Sequence, residues 1–125
     1  MKENEVARLI VDAAYKVHTA IGPGLLESVY EEVLVHELGK RDLKVLRQTP
    51  IPLVYESIQL ELAFIADLIV EDLVIVELKS IEKIAPVHKK QLLTYLRLAD
   101  KKLGLLINFG EALIKNGISR VVNGL

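Results

Sequence analysis

Ala66-Asp67-Leu68-Ile69-Val70 and Leu73-Val74-Ile75-Val76-Glu77-Leu78-Lys79 are two apolar runs joined by Glu71 and Asp72. Both read as strands, apolar on each face as in a sheet covered from both sides. Asp67, Glu77 and Lys79 interrupt that pattern. Ionised groups are costly in a core unless they are paired or hold a metal. Two acids and a lysine between buried strands therefore point to a divalent cation and an anionic substrate.

The connection decides whether the acids meet. Glu77 and Lys79 are two apart and share a face. A three-residue connection, Glu71 to Leu73, pairs Val70 with Val74 and sets Asp67 against Glu77. A two-residue connection sets Asp67 against Val76 and turns it to the wrong face. No glycine marks the turn, and a bulge near Asp67 is the other way to restore parity. Two facing carboxylates suit Mg²⁺ or Mn²⁺, hard cations that prefer oxygen. Such a cation polarises a phosphoryl oxygen and acidifies a bound water. Lys79 would orient that water or offset developing charge. The alternative is a structural ion pair of Lys79 with Asp67 or Glu77.

Outward from these runs, Asn4 to Ala20 has helical spacing in Val6, Leu9, Ile10, Ala13, Ala14 and Val17, with Asn4 as N-cap. Ile21-Gly22-Pro23-Gly24 breaks it. A second helix is expected from about Leu25 to Lys40, with the stripe Leu26, Val29, Tyr30, Val33, Leu34 and Leu38, and Gly39 near its C-cap. Leu43 to Tyr55 reads as extended, and Pro50 and Pro52 confine it to an edge or bulged strand. A turn at Glu56-Ser57 leads into a strand over Ile58 to Val70, which reads along its whole length as a central strand covered on each side. Pro86 to Ala99 reads as a helix with Pro86 at its first position. Leu103 to Phe109 reads as a buried strand, and Ile118 to Val122 as a final edge strand. The order α-α-β-β-β-α-β, with a further β at the end, predicts an α/β domain, a mixed sheet flanked by helices.

The chain has 125 residues, so residues 1–125 are expected to form one domain. A hydrophobic fraction of 51% argues against disorder. There is no cysteine, which excludes disulfides, zinc–thiolate sites and thiol catalysis. No run approaches the ~20 apolar residues of a membrane span, and no signal-peptide pattern opens the sequence, so no membrane partner and a cytoplasmic protein are expected. Residues 1–78 carry 7 Lys/Arg against 14 Asp/Glu, a balance of −7, and residues 79–125 carry 9 against 3, a balance of +6. A basic half beside Glu77-Leu78-Lys79 suits nucleic acid. The bland reading is that the halves interleave in space.

Gln91 and Tyr95 are i, i+4 on the third helix and share a face, suited to bonding a phosphate or holding Lys79. Equally, they suit a solvated Gln and a core Tyr. Glu27 lies in the first turn of the second helix, where the helix dipole alone would favour an acid. His88, three before Gln91, could touch substrate or simply lie at the surface.

Asp67, Glu77-x-Lys79 and Gln91-x-x-x-Tyr95 together resemble the PD-(D/E)xK nuclease superfamily, in its RecB-like or lambda-exonuclease-like branch. Gly24-Leu-Leu-Glu27-Ser-Val-Tyr30 resembles the signature of the GxxExxY proteins, as do Ile75 to Lys79, Pro86-Val-His88 and Gly104 to Phe109. The resemblance spans nearly the whole chain. It implies a restriction-endonuclease-like core and a metal-dependent phosphodiesterase. Asp67, Glu77, the Leu78 carbonyl and Glu27 would then hold Mg²⁺ or Mn²⁺. Lys79, Glu27, Gln91 and Tyr95 would be catalytic, and His88, Lys89, Lys90 and Tyr30 would contact substrate. Ile65 departs from the pattern, which often has arginine two before the aspartate, and the Glu56-Ser57 turn is shorter than usual. The leading expectation is a Mg²⁺-dependent DNA nuclease. The alternatives are a nucleic-acid-binding module without cleavage and a structural partner domain. A chain this short has little room for a recognition domain, so specificity would come from a homodimer or a partner.

Overall fold

A computed structural model describes all 125 residues. The elements run α1 (Glu3–Ile21), α2 (Glu27–Lys40), β1 (Val45–Tyr55), β2 (Ile58–Val70), β3 (Val74–Lys79), α3 (Pro86–Ala99), β4 (Leu103–Asn108) and β5 (Ile118–Val122), with a 3-10 turn at Ile114–Asn116. The five strands form one mixed sheet in the order β1-β2-β3-β4-β5. Only β3 and β4 run parallel, and α3 provides the crossover such a pair requires. This is the α/β architecture of a restriction-endonuclease-like core.

The sheet is covered on both faces. On one, Val6, Ile10, Ala13 and Val17 of α1 and Tyr30, Leu34 and Leu38 of α2 pack on Leu68, Val70, Val74, Val76 and Leu78. On the other, Leu92 and Leu96 of α3 pack on Ile69, Ile75 and Leu106. The alternation along β3 therefore sends Val74, Val76 and Leu78 to one layer, and Ile75, Glu77 and Lys79 to the other. No helix is long and apolar enough to cross a membrane.

The β2–β3 connection has the three-residue form. Val70 pairs with Val74, Ile69 with Ile75 and Leu68 with Val76. Glu71 and Asp72 take φ of 54° and 57°, and the Leu73 amide closes the turn on the Val70 carbonyl at 3.0 Å. Two acidic residues thus adopt the left-handed conformation that glycine usually supplies. A second irregularity lies opposite. Leu68 and Val70 face α1 and α2, yet Ala66 and Phe64, at the same parity, pack with α3. Strand β2 changes face at Asp67. Gln48, which the register sets against Asp67, has φ 47°, and the β1–β2 pairs skip this level.

Several boundaries differ from the sequence reading. Asn4 lies inside α1, which starts at Glu3, and Asn4 accepts from Arg120 instead of capping. Helix α2 starts at Glu27 and runs through Gly39 to Lys40, since Arg41 and Asp42 can terminate it without glycine. Leu26 and Val29 stay exposed at its entry. The buried acid Glu37 joins its inner face, ion-paired with Lys16, Lys40 and Arg41, which hold its carboxyl down at about 2. Strand β2 is covered only over its second half. Residues 58–63 are exposed because the β1–β2 hairpin projects beyond α3. β3 begins at Val74, one residue late, and β4 ends at Asn108, one residue early.

Candidate active site

Asp67 comes from the point where β2 changes face, and Glu77 and Lys79 from the end of β3. Beyond the Leu68–Val76 pair the strands part, and side chains take over the bonding. The Asp67 amide donates to Glu77 Oε2 at 3.4 Å, and the Leu78 amide donates to Asp67 Oδ2 at 2.9 Å. Glu77 Oε1 is buried and has no partner. Glu77 is only 8% exposed. Burial first, and the adjacent Asp67 carboxylate second, push its carboxyl up to about 9. Lys79 takes part in none of the ion pairs, so the structural pair with Asp67 or Glu77 is not formed.

These three side chains line a cleft of about 170 Å³ with Glu27, Ile65, His88, Gln91 and Tyr95. Leu92 and Leu106 form its apolar floor. At roughly 30 Å³ per water, the space holds a handful of waters or an ion with a phosphate group. Tyr95 stacks on Phe64 with ring centroids 3.7 Å apart and planes 6° apart. Burial, then the charges of Glu77 and Asp67, raise its phenol above the ordinary value. His88 turns Nδ1 to the Ala85 amide at 2.9 Å, which closes the start of α3 and leaves Nε2 for the cleft. Glu27 is exposed and also borders a second cleft behind Asp67, with Ser28, Glu31, Gln48 and Leu78. There the Gln48 amide reaches Glu31 at 2.5 Å, and Arg47 clamps Glu31 and Glu32 at 2.7 Å each.

Three residues expected to contact substrate do not line this cleft. Tyr30 is fully buried and stacks on Phe109 at 4.4 Å. Its hydroxyl donates to the Gly22 carbonyl at 2.6 Å and accepts from the Leu25 amide at 3.0 Å. It shapes the loop that delivers Glu27. Lys89 and Lys90 lie outside the cleft, along another side of α3.

Asn108, unassigned from the sequence, organises the exit of β3. It is fully buried and stands opposite Lys79 in the parallel pair. Its Oδ1 accepts from the Ile81 and Gly110 amides at 3.0 Å each, and its Nδ2 donates to the Ile81 carbonyl at 2.9 Å. A Cβ at Gly110 would collide with that carbonyl, which explains the glycine. Ser80 Oγ donates to the Leu25 carbonyl at 2.5 Å and ties the same loop to the start of α2. A polar residue closing the apolar run Leu103 to Ile107 was the available signal.

Asp67 and Glu77 offer two oxygen ligands of the kind a divalent cation takes, and no third acid or histidine closes on them. A buried carboxylate oxygen without a partner, beside a second carboxylate, matches the oxygen ligands that hard cations take. Burial and the Asp67 carboxylate disfavour the charged form of Glu77, and a cation there would favour it.

A family model described as the PD-(D/E)XK nuclease superfamily matches residues 4–121. No curated protein and no solved structure matches the chain.

Proposed function

Because the chain belongs to the PD-(D/E)XK nuclease superfamily, we propose that it is a metal-dependent nuclease hydrolysing phosphodiester bonds, with DNA as substrate and Mg²⁺ or Mn²⁺ as cofactor. We read the motif Gly24 to Tyr30 as that of the GxxExxY proteins and assign the chain to the RecB-like or lambda-exonuclease-like branch on its resemblance. We take residues 1–125 as one catalytic domain.

The observation that carries this reading is the unpartnered Glu77 Oε1 beside Asp67, with an unpaired Lys79 in the same cleft. Asp67 and Glu77 would hold the cation, with Glu27 and the Leu78 carbonyl as further donors. When bound, that cation supplies Lewis acidity and a more acidic water. Lys79 positions the attacking water and offsets charge on the phosphoryl oxygens. Gln91 presents an amide to a non-bridging oxygen, and Tyr95, fixed by its stack on Phe64, closes the wall. His88 Nε2 is a donor or acceptor for the flanking strand. Leu92 and Leu106 exclude water from the floor, which strengthens each charge–charge interaction above it.

The test is nicking of supercoiled plasmid and of single-stranded DNA with Mg²⁺ or Mn²⁺. Products that require the cation and disappear in Asp67→Ala support the proposal. Activity that persists in Asp67→Ala and Lys79→Ala would remove the site assignment.

A further inference from the structure

Lys83, Lys89 and Lys90 converge on a groove of about 490 Å³, separate from the acidic cleft. All three are exposed, and none takes part in an ion pair. Asn116 and Ser119 add neutral hydrogen-bonding groups, and Glu111 is the one acid in its wall. Like charges around a concavity repel each other, and a single carboxylate offsets only part of that. The first turn of α3 beside the groove carries no acid either. Three of the nine basic residues of 79–125 gather here against one acid, a local balance of +2. A polyanion is the partner such a surface fits.

The groove's position relative to the cleft narrows the class of polyanion. Helix α3 presents His88, Gln91 and Tyr95 to the cleft and Pro86, Lys89 and Lys90 to the groove. The two are separated by about one helix diameter, ~10 Å, which is the axial span of about three nucleotides in one strand of a duplex. A strand lying across α3 would meet both.

We infer that this groove is a second nucleic-acid site, in which Lys83, Lys89 and Lys90 hold backbone phosphates about three nucleotides from the bond in the cleft. Asn116 and Ser119 complete the contacts to phosphate oxygens. What occupies the cleft rests on the nuclease reading above. The capture of phosphates in the groove does not, because it needs neither cation nor cleavage. Phosphate contacts of this kind carry no sequence information. The groove would therefore raise affinity and fix strand polarity without choosing a sequence.

The experiment measures binding of a fluorescent oligonucleotide in EDTA over a salt series. The comparison is between the intact chain, the triple variant Lys83→Ala/Lys89→Ala/Lys90→Ala, and the charge-matched control Lys2→Ala/Lys44→Ala/Lys102→Ala. Each phosphate contact contributes about 0.7–0.9 to the slope of log K against log salt. The groove variant should lose roughly 2–3 of that slope and at least about tenfold in affinity at low salt. The control should keep both. Mn²⁺ binding by calorimetry and turnover of a small aryl phosphodiester should match the intact chain in the groove variant, so a damaged cleft cannot mimic the result. An unchanged slope, or an equal loss in the control, overturns the inference. So does selective capture of polyglutamate through the same lysines with no oligonucleotide binding, which would make the partner an acidic protein. Groove-dependent binding with no cleavage under any cation would uphold the groove and sink the nuclease reading instead.

Discussion

Asp67 and Glu77 bind each other's strand ends: Glu77 Oε2 accepts from the Asp67 amide at 3.4 Å, and Asp67 Oδ2 accepts from the Leu78 amide at 2.9 Å. The carboxylates replace ladder bonds that the strands give up beyond Leu68 and Val76. This clasp places the two acids together without a cation and consumes one oxygen of each. Glu77 Oε1 is left buried and unpaired. A buried oxygen without a partner is a cost to the fold, and such costs are common where function opposes stability.

That cost has a pH signature. Glu77 titrates near 9 in the folded chain against an ordinary 4.5. Between these values the folded state holds a proton that the unfolded state has released, so metal-free stability falls as pH rises through the window. The sign is opposite to that of a salt-bridged carboxylate such as Glu37. Thermal melts in EDTA from pH 5 to 9 should show the decline. Glu77→Gln should flatten it and stabilise the metal-free protein on the order of 2 kcal/mol at the alkaline end. Metal binding must release this proton, so Mn²⁺ affinity should rise with pH over the same range. A pH-independent melting temperature in the unmutated chain would contradict the assignment.

Lys79 and Asp67 should separate in their effects. Lys79 makes no ion pair with either acid, so its removal leaves the clasp and the ligands in place. Lys79→Ala is expected to bind Mn²⁺ within about threefold of the unmutated chain while losing about 10²–10³ in cleavage rate. Asp67→Asn removes a charge from the ligand pair and should weaken Mn²⁺ at least about tenfold. Calorimetry beside plasmid cleavage distinguishes them. Equal loss of metal from both variants would mean that Lys79 acts on the acids after all.

The meeting of Asp67 and Glu77 was legible because strand parity depends only on the length of one connection, and Val70 pairs with Val74 as the three-residue form requires. The layers were legible too, since β3 alternates between two apolar faces and α1 carries one stripe. Tyr30 was misread because the motif gives its spacing but not its direction, and a buried ring stacked on Phe109 looks the same in sequence as an exposed one. The exposed half of β2 was misread for a related reason. Ile58, Leu60 and Leu62 continue an apolar pattern past the edge of the helix that would cover it, and where α3 ends relative to the hairpin is a tertiary fact. Gln48 left no trace at all, because its role comes from φ and from register.

Gln48 holds the level at which β2 changes face. Its φ of 47° is one that β-branched residues scarcely adopt, and its side chain is anchored to Glu31. Gln48→Val should therefore cost about 1–2 kcal/mol and displace Asp67, lowering Mn²⁺ affinity in a protein that still folds. Gln48→Asn, which tolerates this conformation, should keep both properties near normal. Urea melts and calorimetry on the two variants provide the comparison. Val and Asn variants with the same metal affinity would show that Asp67 is placed by β3 alone.

Asn108 is the residue on which the position of Lys79 most depends outside its own strand. It lies opposite Lys79 in the β3–β4 pair, and the Phe109 amide donates to the Lys79 carbonyl at 2.8 Å. Asn108→Leu keeps the volume but strips partners from the Ile81 amide, the Ile81 carbonyl and the Gly110 amide, all bonded to one side chain. Each orphaned group costs about 1–3 kcal/mol if it stays buried. The cheaper outcome is for residues 80–85 to detach and find water. The expected result is a loss of about 2–3 kcal/mol in urea melts, new proteolytic nicks confined to residues 80–85, and a cleavage rate that falls while Mn²⁺ binding at Asp67 and Glu77 persists. A variant that resists proteolysis and cleaves at the normal rate would show that β3 positions Lys79 without help from this loop.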